Sequence, residues 1–188
     1  MPKLSILIPT LTDRAAFLAR ILDILRPQLT KEAELLINMD AYGQTTGAKR
    51  NALLHSAQGE YVSMVDDDDL VSHDYVERLL AGISLGVDVV AIRGHVFKDG
   101  VHIGQFIDTP YTVWKTVPDN GKNLFLRGVQ HLDAIKREIA LSAPFEDRGF
   151  GEDSRWSHAI QEANKCLTYH CVPEPVYDYL WRTDNLHR

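Results

Sequence analysis

Four consecutive carboxylates, Asp66-Asp67-Asp68-Asp69, follow directly on an apolar, β-prone run at residues 61–65. Adjacent carboxylates repel one another, so a folded chain keeps such a run where it is well solvated or holds a cation. Carboxylate oxygens suit Mg2+ or Mn2+, which take one or two of them and leave other positions to water and substrate phosphates. A second acidic pair, Glu152-Asp153, comes far downstream, after Gly149-Phe150-Gly151. It opens a segment of helical periodicity, where the helix dipole favours an ionised carboxylate. A carboxylate so placed can take the proton from an attacking hydroxyl. The plainer reading is that acids are common at helix starts and that an acidic run is a solvated surface.

The elements that would position these groups alternate. Residues 4–9 read as a buried strand stopped by Pro9, and residues 12–25 as a helix with Leu18, Ile21, Leu22 and Leu25 on one face, closed by Pro27. Residues 34–39 form a second strand, 47–57 a helix and 61–65 a third strand. A helix from Ser72 or His73 to about Leu85 leads to a fourth strand at 87–92. This is the pattern of an α/β, Rossmann-like fold: an open, mostly parallel sheet with helices on both faces. Ligands on such sheets sit at the carboxyl ends of the strands, where the aspartates lie. Further on, Asp99-Gly100 marks a hairpin within 96–103. Residues 110–127 are turn-rich with aromatics, 132–140 read as helix, 145–151 as a loop and 152–164 as helix. Residues 167–172 and 176–181 read as strands. No linker divides the chain, so residues 1–188 are expected to be one domain, with a ligand-binding half at about 1–93 and a variable half at about 94–188.

The chain has 188 residues, 45% of them hydrophobic and 24% charged, which suits a soluble globular domain. Its net charge of −6 argues against a broad phosphate-tracking surface, so a nucleic-acid partner is not expected, although a modified-base acceptor stays open. Cys166 and Cys171 lack zinc-site spacing and read as small core residues on a strand. No signal peptide or membrane span is visible, so the expected location is cytoplasmic.

Three stretches together resemble the family 2 glycosyltransferases, inverting enzymes of the GT-A fold. They are Ser5-Ile6-Leu7-Ile8-Pro9-Thr10; Gly47-Ala48-Lys49-Arg50-Asn51-Ala52-Leu53 with Ala57-Gln58-Gly59-Glu60-Tyr61-Val62; and Met64-Val65-Asp66-Asp67-Asp68-Asp69, similar to that family's D-x-D-D element. The resemblance implies transfer of a sugar from a nucleotide-sugar, with a UDP-sugar favoured, to an acceptor hydroxyl on a saccharide or other molecule. It implies donor contacts from Pro9, Thr10, Asp40, Lys49, Asn51, Asp66 and Asp67. Asp40 stands in Asp40-Ala41-Tyr42-Gly43, which departs from the family's usual acid pair and Gly-Ser. Lys49, Arg50 and Asn51 would approach phosphates or sugar, Lys49 being as readily a solvated surface residue. Asp68 would be the main ligand of a Mn2+ or Mg2+ ion, with Asp66. His187 is the favoured further ligand over His170, because the tail 179–187 loosely resembles the family's aromatic-Arg-His ending. Asp69 would face the transferred sugar or support the loop. Asp153 would be the base and Glu152 its partner, while Trp156 would stack on a sugar or pack in the core. A homodimer stays open.

Other readings compete. A haloacid-dehalogenase-like phosphatase also uses D-x-D after a strand, fitted by Asp66 and Asp68, but draws it from the first strand. A nucleotidyltransferase would want a Gly-rich loop where the chain has Pro9-Thr10-Leu11-Thr12. A domain that binds sugar nucleotides without turnover would not need Glu152-Asp153.

Overall fold

The structure, a computed structural model, describes residues 1–109, 114–163 and 167–183. In chain order its elements are β1 (Leu4–Leu11), α1 (Ala15–Leu25), β2 (Ala33–Asp40), α2 (Thr46–Ser56), β3 (Tyr61–Met64), β4 (Leu70–Val71), α3 (Tyr75–Ile83), β5 (Val89–Ala91) and β6 (Arg93–Lys98). Then come β7 (Val101–Asp108), β8 (Lys115–Asp119), β9 (Lys122–Arg127), β10 (Ala134–Lys136), α4 (Arg137–Ala140), α5 (Glu152–Ala163), β11 (Tyr169–Cys171) and β12 (Tyr177–Trp181).

The first sheet has the order β11-β5-β10-β3-β1-β2. β1 lies parallel between β2 and β3, and its side chains alternate between two cores. Leu4, Ile6 and Ile8 join α1 and α3 on one face, while Leu7 joins Leu53 and Leu54 of α2 and Ile160 of α5 on the other. The period-two alternation of a strand thus serves helices on both faces. Pro9 does not end β1, contrary to the sequence reading. Leu7 turns its carbonyl to the β3 side and accepts the Val65 N–H, so Pro9, two residues on, faces the same side. The β3 ladder ends at Leu7, so the N–H that proline lacks is not missed.

Residues 132–140 are the clearest departure. Instead of one helix they contain β10, antiparallel to both β3 and β5, and only then the single turn α4. Ala134 and Ile135 fill the gap between two strands, and burial there outweighs local helical preference.

The second sheet, of order β4-β12-β6-β7-β9-β8, holds most of the later half. Asp99 and Gly100 take φ of 49° and 81° in the expected β6–β7 hairpin. The stretch read as merely turn-rich carries a second hairpin, β8–β9, through Asn120 and Gly121 at φ 47° and 78°. Both turns need positive φ at two successive residues, which Asn-Gly and Asp-Gly tolerate.

Asp88, just before β5, ties three segments together. It accepts Lys136 Nζ at 2.8 Å, Thr168 N at 2.9 Å and Thr168 Oγ1 at 2.8 Å. Partial burial would raise its pKa, but the Lys136 and Thr168 hydrogen bonds prevail and hold it at about 2, below the ordinary 3.8. A depressed carboxylate stabilises the fold above its unfolded pKa and loses that contribution as pH falls towards the folded value. Solvent screening leaves about 1 kcal/mol of it. Asp88→Asn should therefore lower the urea midpoint at pH 7, with the gap closing between pH 4 and 2. Parallel midpoint curves would exclude this role.

Candidate active site

The four aspartates leave β3 at the carboxyl end of the first sheet, and each is held differently. Asp67 is buried, accepts the Thr10 hydroxyl, and is paired with Arg14, whose Nε lies 2.9 Å from both of its oxygens. Asp68 meets Arg14 Nη2 at 2.9 Å and keeps 21% of its side chain exposed. Burial, with Asp66 and Asp67 close by, pushes its carboxyl up despite Arg14. Asp69 turns inward, accepting the Tyr177 hydroxyl at 2.8 Å and Leu180 N at 2.7 Å. Burial and then Asp66 raise its pKa well above the usual range. Of its two expected roles, the geometry matches loop support. The Tyr177 hydroxyl also accepts the Asp66 N–H at 3.3 Å, so one phenol fixes both ends of the acidic turn.

Asp66 faces Arg50, whose Nη2 donates to Oδ1 at 2.8 Å, and His131 Nε2 lies 3.5 Å from Oδ2. Burial would raise the Asp66 pKa, but the Arg50 guanidinium and then His131 hold it below the carboxylate range. Arg50 is 4% exposed and reaches further: its Nη1 donates to Glu152 Oε1 at 2.8 Å. One buried guanidinium thus joins the two acidic elements read separately from the sequence. Glu152 is buried, which pushes its pKa up against the pull of Arg50. Asp153, half-buried beside it in the first turn of α5, accepts Ser154 N at 2.7 Å.

Two cavities meet here. One, of ≈ 410 Å³, is lined by Pro9, Thr10, Tyr42, Asp67 and Asp68 among others; the second, of ≈ 610 Å³, is lined by Glu152, Asp153 and several aromatic rings. Asp66, Gly149 and Phe150 line both. Phe150 is 83% exposed between two glycines, and Gly151 takes φ 76°.

Several expected site residues do other work. Lys49 is not solvated: its ammonium is buried against Asp40 and donates to Thr10 O at 2.7 Å, and the residue lines the smaller cavity. Asp40 also accepts Gln44 N at 2.7 Å and does not line the smaller cavity. Asn51 grips the backbone of Phe145, donating to its carbonyl at 2.8 Å and accepting its N–H at 2.9 Å, so it braces the chain instead of meeting a donor. Trp156 is core, not a sugar platform. It stacks on Phe145 with centroids 4.7 Å apart and donates to Ala143 O at 3.0 Å. Trp156→Ala should cost about 3–5 kcal/mol in urea unfolding; a loss under 1 kcal/mol would contradict this packing. His170 lies on β11, near Gly82 of α3, and lines neither cavity, while His187 and Cys166 fall outside the described residues. Cys171 is exposed on the edge strand instead of buried.

Sequence reasoning missed Arg14, His131, Tyr177 and Phe150. Arg14, just past the first strand at the ligand end, was findable by position, and so was Phe150, an aromatic between glycines before an acid pair. His131 and Tyr177 carried no local signal.

Among the described residues no group of three or more His, Cys, Asp or Glu could hold a metal by itself. The donor set nonetheless fits an oxygen-bound cation completed by substrate phosphates. Asp66 and Asp68 line the same cavity, and each keeps part of its side chain exposed there. No helix among the described residues is long and apolar enough to cross a membrane.

The fold is shared with S. aureus TarS at a TM-score of 0.69 and 16% identity, over 95% of this chain and 36% of that one. S. aureus TarS 1–349 in complex with UDP-GlcNAc aligns at a TM-score of 0.67 and 16% identity, over 96% of this chain and 59% of that one. The same protein in complex with UDP gives 0.69 and 17%, over 95% and 60%. The chain therefore spans less than two thirds of these neighbours. No curated protein matches it in sequence. The family model of glycosyl transferase family 2 matches residues 39–140, which run from the end of β2 through α4 and include the whole acidic turn. The chain, more than half of which that model covers, belongs to glycosyl transferase family 2.

Proposed function

We propose that this chain transfers a sugar from a nucleotide-sugar, with a UDP-sugar favoured, to an acceptor hydroxyl with inversion at the anomeric carbon. The observation that carries the reading is the meeting of two cavities at Asp66, one acidic and arginine-flanked, the other floored by Glu152-Asp153. The neighbour's complexes with UDP-GlcNAc and UDP support the choice of donor.

In this mechanism the nucleoside diphosphate lies in the smaller cavity, with Asp66 and Asp68 towards its phosphates and Arg14 behind them. Mg2+ or Mn2+ bound there with Asp66 and Asp68 would supply positive charge to offset the departing diphosphate. Asp153 takes the proton from the acceptor hydroxyl as that oxygen attacks the anomeric carbon. The new C–O bond forms while the bond to the diphosphate breaks, and the diphosphate leaves with its electron pair. Glu152, held by Arg50, fixes the first turn of α5 and so the direction of Asp153.

A panel of nucleotide-sugars, with and without Mn2+, tests this by thermal stabilisation and release of free nucleotide. A cognate donor at about 100 times its Kd stabilises by about 2.7 kcal/mol, a shift of roughly 5–10 °C for a chain of this size. One nucleotide class should do so, more strongly with metal, and one sugar should be slowly hydrolysed. No response to any donor with metal present would overturn the reading.

A further inference from the structure

One wall of the larger cavity is mostly apolar and aromatic. Val96 on β6, Phe106 on β7, Phe125 on β9, and Tyr179 and Trp181 on β12 all line it, and these strands are neighbours in the second sheet. Tyr179 is in register with Val96, and Phe106 with Phe125. Trp114 and Phe150 add two more rings. The carboxylates converge elsewhere: Glu152 and Asp153 are consecutive, and Arg50 bonds Glu152 and Asp66 together. The cavity is therefore acidic at the reacting end and apolar along its body.

An anionic ligand meets three lining carboxylates, Asp66, Glu152 and Asp153. Of the basic groups on the same cavity, Arg127 is spent on Asp108, at 2.7 and 2.8 Å in a bidentate pair, His131 lies against Asp66, and Lys115 stands on the edge strand β8. A fully hydroxylated ligand meets the Thr116 and Tyr179 hydroxyls on the sheet wall but hydrocarbon along Phe106, Phe125 and Leu126. Each hydroxyl buried against a ring without a partner costs about 1–3 kcal/mol. A ligand with one polar end and an apolar ring leaves neither mismatch, and ≈ 610 Å³ is ample for it.

We propose that the acceptor is an uncharged molecule carrying its reacting hydroxyl at one end and an apolar ring at the other. This rests on the glycosyl-transfer reading above and specifies its second substrate. The hydroxyl lies towards Asp153, and the ring packs against the wall formed by Phe125, Tyr179 and Trp181.

The full chain and its best donor are tested with three probes: a free monosaccharide, its phenyl glycoside and its phosphate ester. Two of the chain's three tryptophans, Trp114 and Trp181, line the cavity, so intrinsic fluorescence reports occupancy without turnover. The phenyl glycoside should quench fluorescence and accelerate nucleotide release at concentrations at least tenfold below those of the free sugar. The phosphate ester should do neither. Trp181→Ala should erase the tenfold preference while the donor still raises the melting temperature. Equal response to free sugar and phenyl glycoside, or preference for the phosphate ester, overturns the proposal. Quenching by the phenyl glycoside when no nucleotide stabilises the chain would instead overturn glycosyl transfer and support the ligand class of the cavity.

Discussion

Arg50→Met is expected to destabilise the chain by about 3–5 kcal/mol, because it leaves the buried Glu152 and the partly buried Asp66 without their cation. Methionine fills most of the same volume, so the loss reports charge and hydrogen bonding more than a cavity. Asp66 and Glu152 each lose a 2.8 Å bond, and His131 loses its 3.2 Å neighbour at Arg50 Nη2. The sign of the pH dependence follows from Asp66. Its folded pKa lies below the ordinary 3.8, so the stability that Arg50 confers through it is present at neutral pH and fades as pH drops. The deficit of Arg50→Met should thus be largest near pH 7 and shrink below about pH 4, where the abandoned acids protonate. Arg50→Lys should recover only part of it, since one ammonium cannot reach both carboxylates as a fork does. Urea unfolding of the three proteins at pH 7 and pH 3 is the measurement. An equal deficit at both pH values would mean that the guanidinium is not the link between the acidic elements.

Asp153→Asn is expected to reduce transfer by about 10²–10⁴-fold, the range assigned to a positioned general base. Asparagine keeps size and hydrogen bonding but cannot take the proton. Asp153 lines the larger cavity only, so donor-induced thermal stabilisation should survive. That pairing of results separates an enzyme from a domain that binds sugar nucleotides without turnover. Loss of donor stabilisation along with transfer would assign Asp153 to the donor side. Transfer within tenfold of the parent would move the base elsewhere, with Glu152 the next group to test.

The sequence carried the first sheet well and the later half unevenly, for physical reasons. The strand-helix alternation from β1 to β5 was legible because each element's apolar face has its own period, which needs no knowledge of its neighbours. The acidic turn and the Glu152-Asp153 pair were legible because chemistry concentrates there in adjacent residues. β10 was not, because Ala134 and Ile135 become a strand only when β3 and β5 are already beside them. The β8–β9 hairpin was legible in principle, since Asn120-Gly121 is as strong a turn signal as Asp99-Gly100, but its flanking residues are half exposed and lack clean alternation. The roles of Lys49, Asn51 and Trp156 depend on partners distant in the chain. Asn51 meets Phe145 across 94 residues, and no local pattern records such a pairing.

The same pairing has a kinetic consequence. Three side chains of the α2 region, Thr45, Arg50 and Asn51, bond partners 94 to 102 residues ahead, at Asp147, Glu152 and Phe145. Gly47 is pressed so closely to Glu146 that a Cβ there would stand 1.8 Å from its carbonyl oxygen. Loops of that length close slowly, and their entropy is lost before the contacts compensate it. β1, β2 and β3 can therefore assemble from neighbouring segments, while β10, β11 and the catalytic geometry wait for the last third of the chain to return. Along the folding route one half of the sheet comes early and the active site late, and any chain halted midway holds the acidic turn with Arg14 and Arg50 but without Glu152 and Tyr177, which complete its bonding.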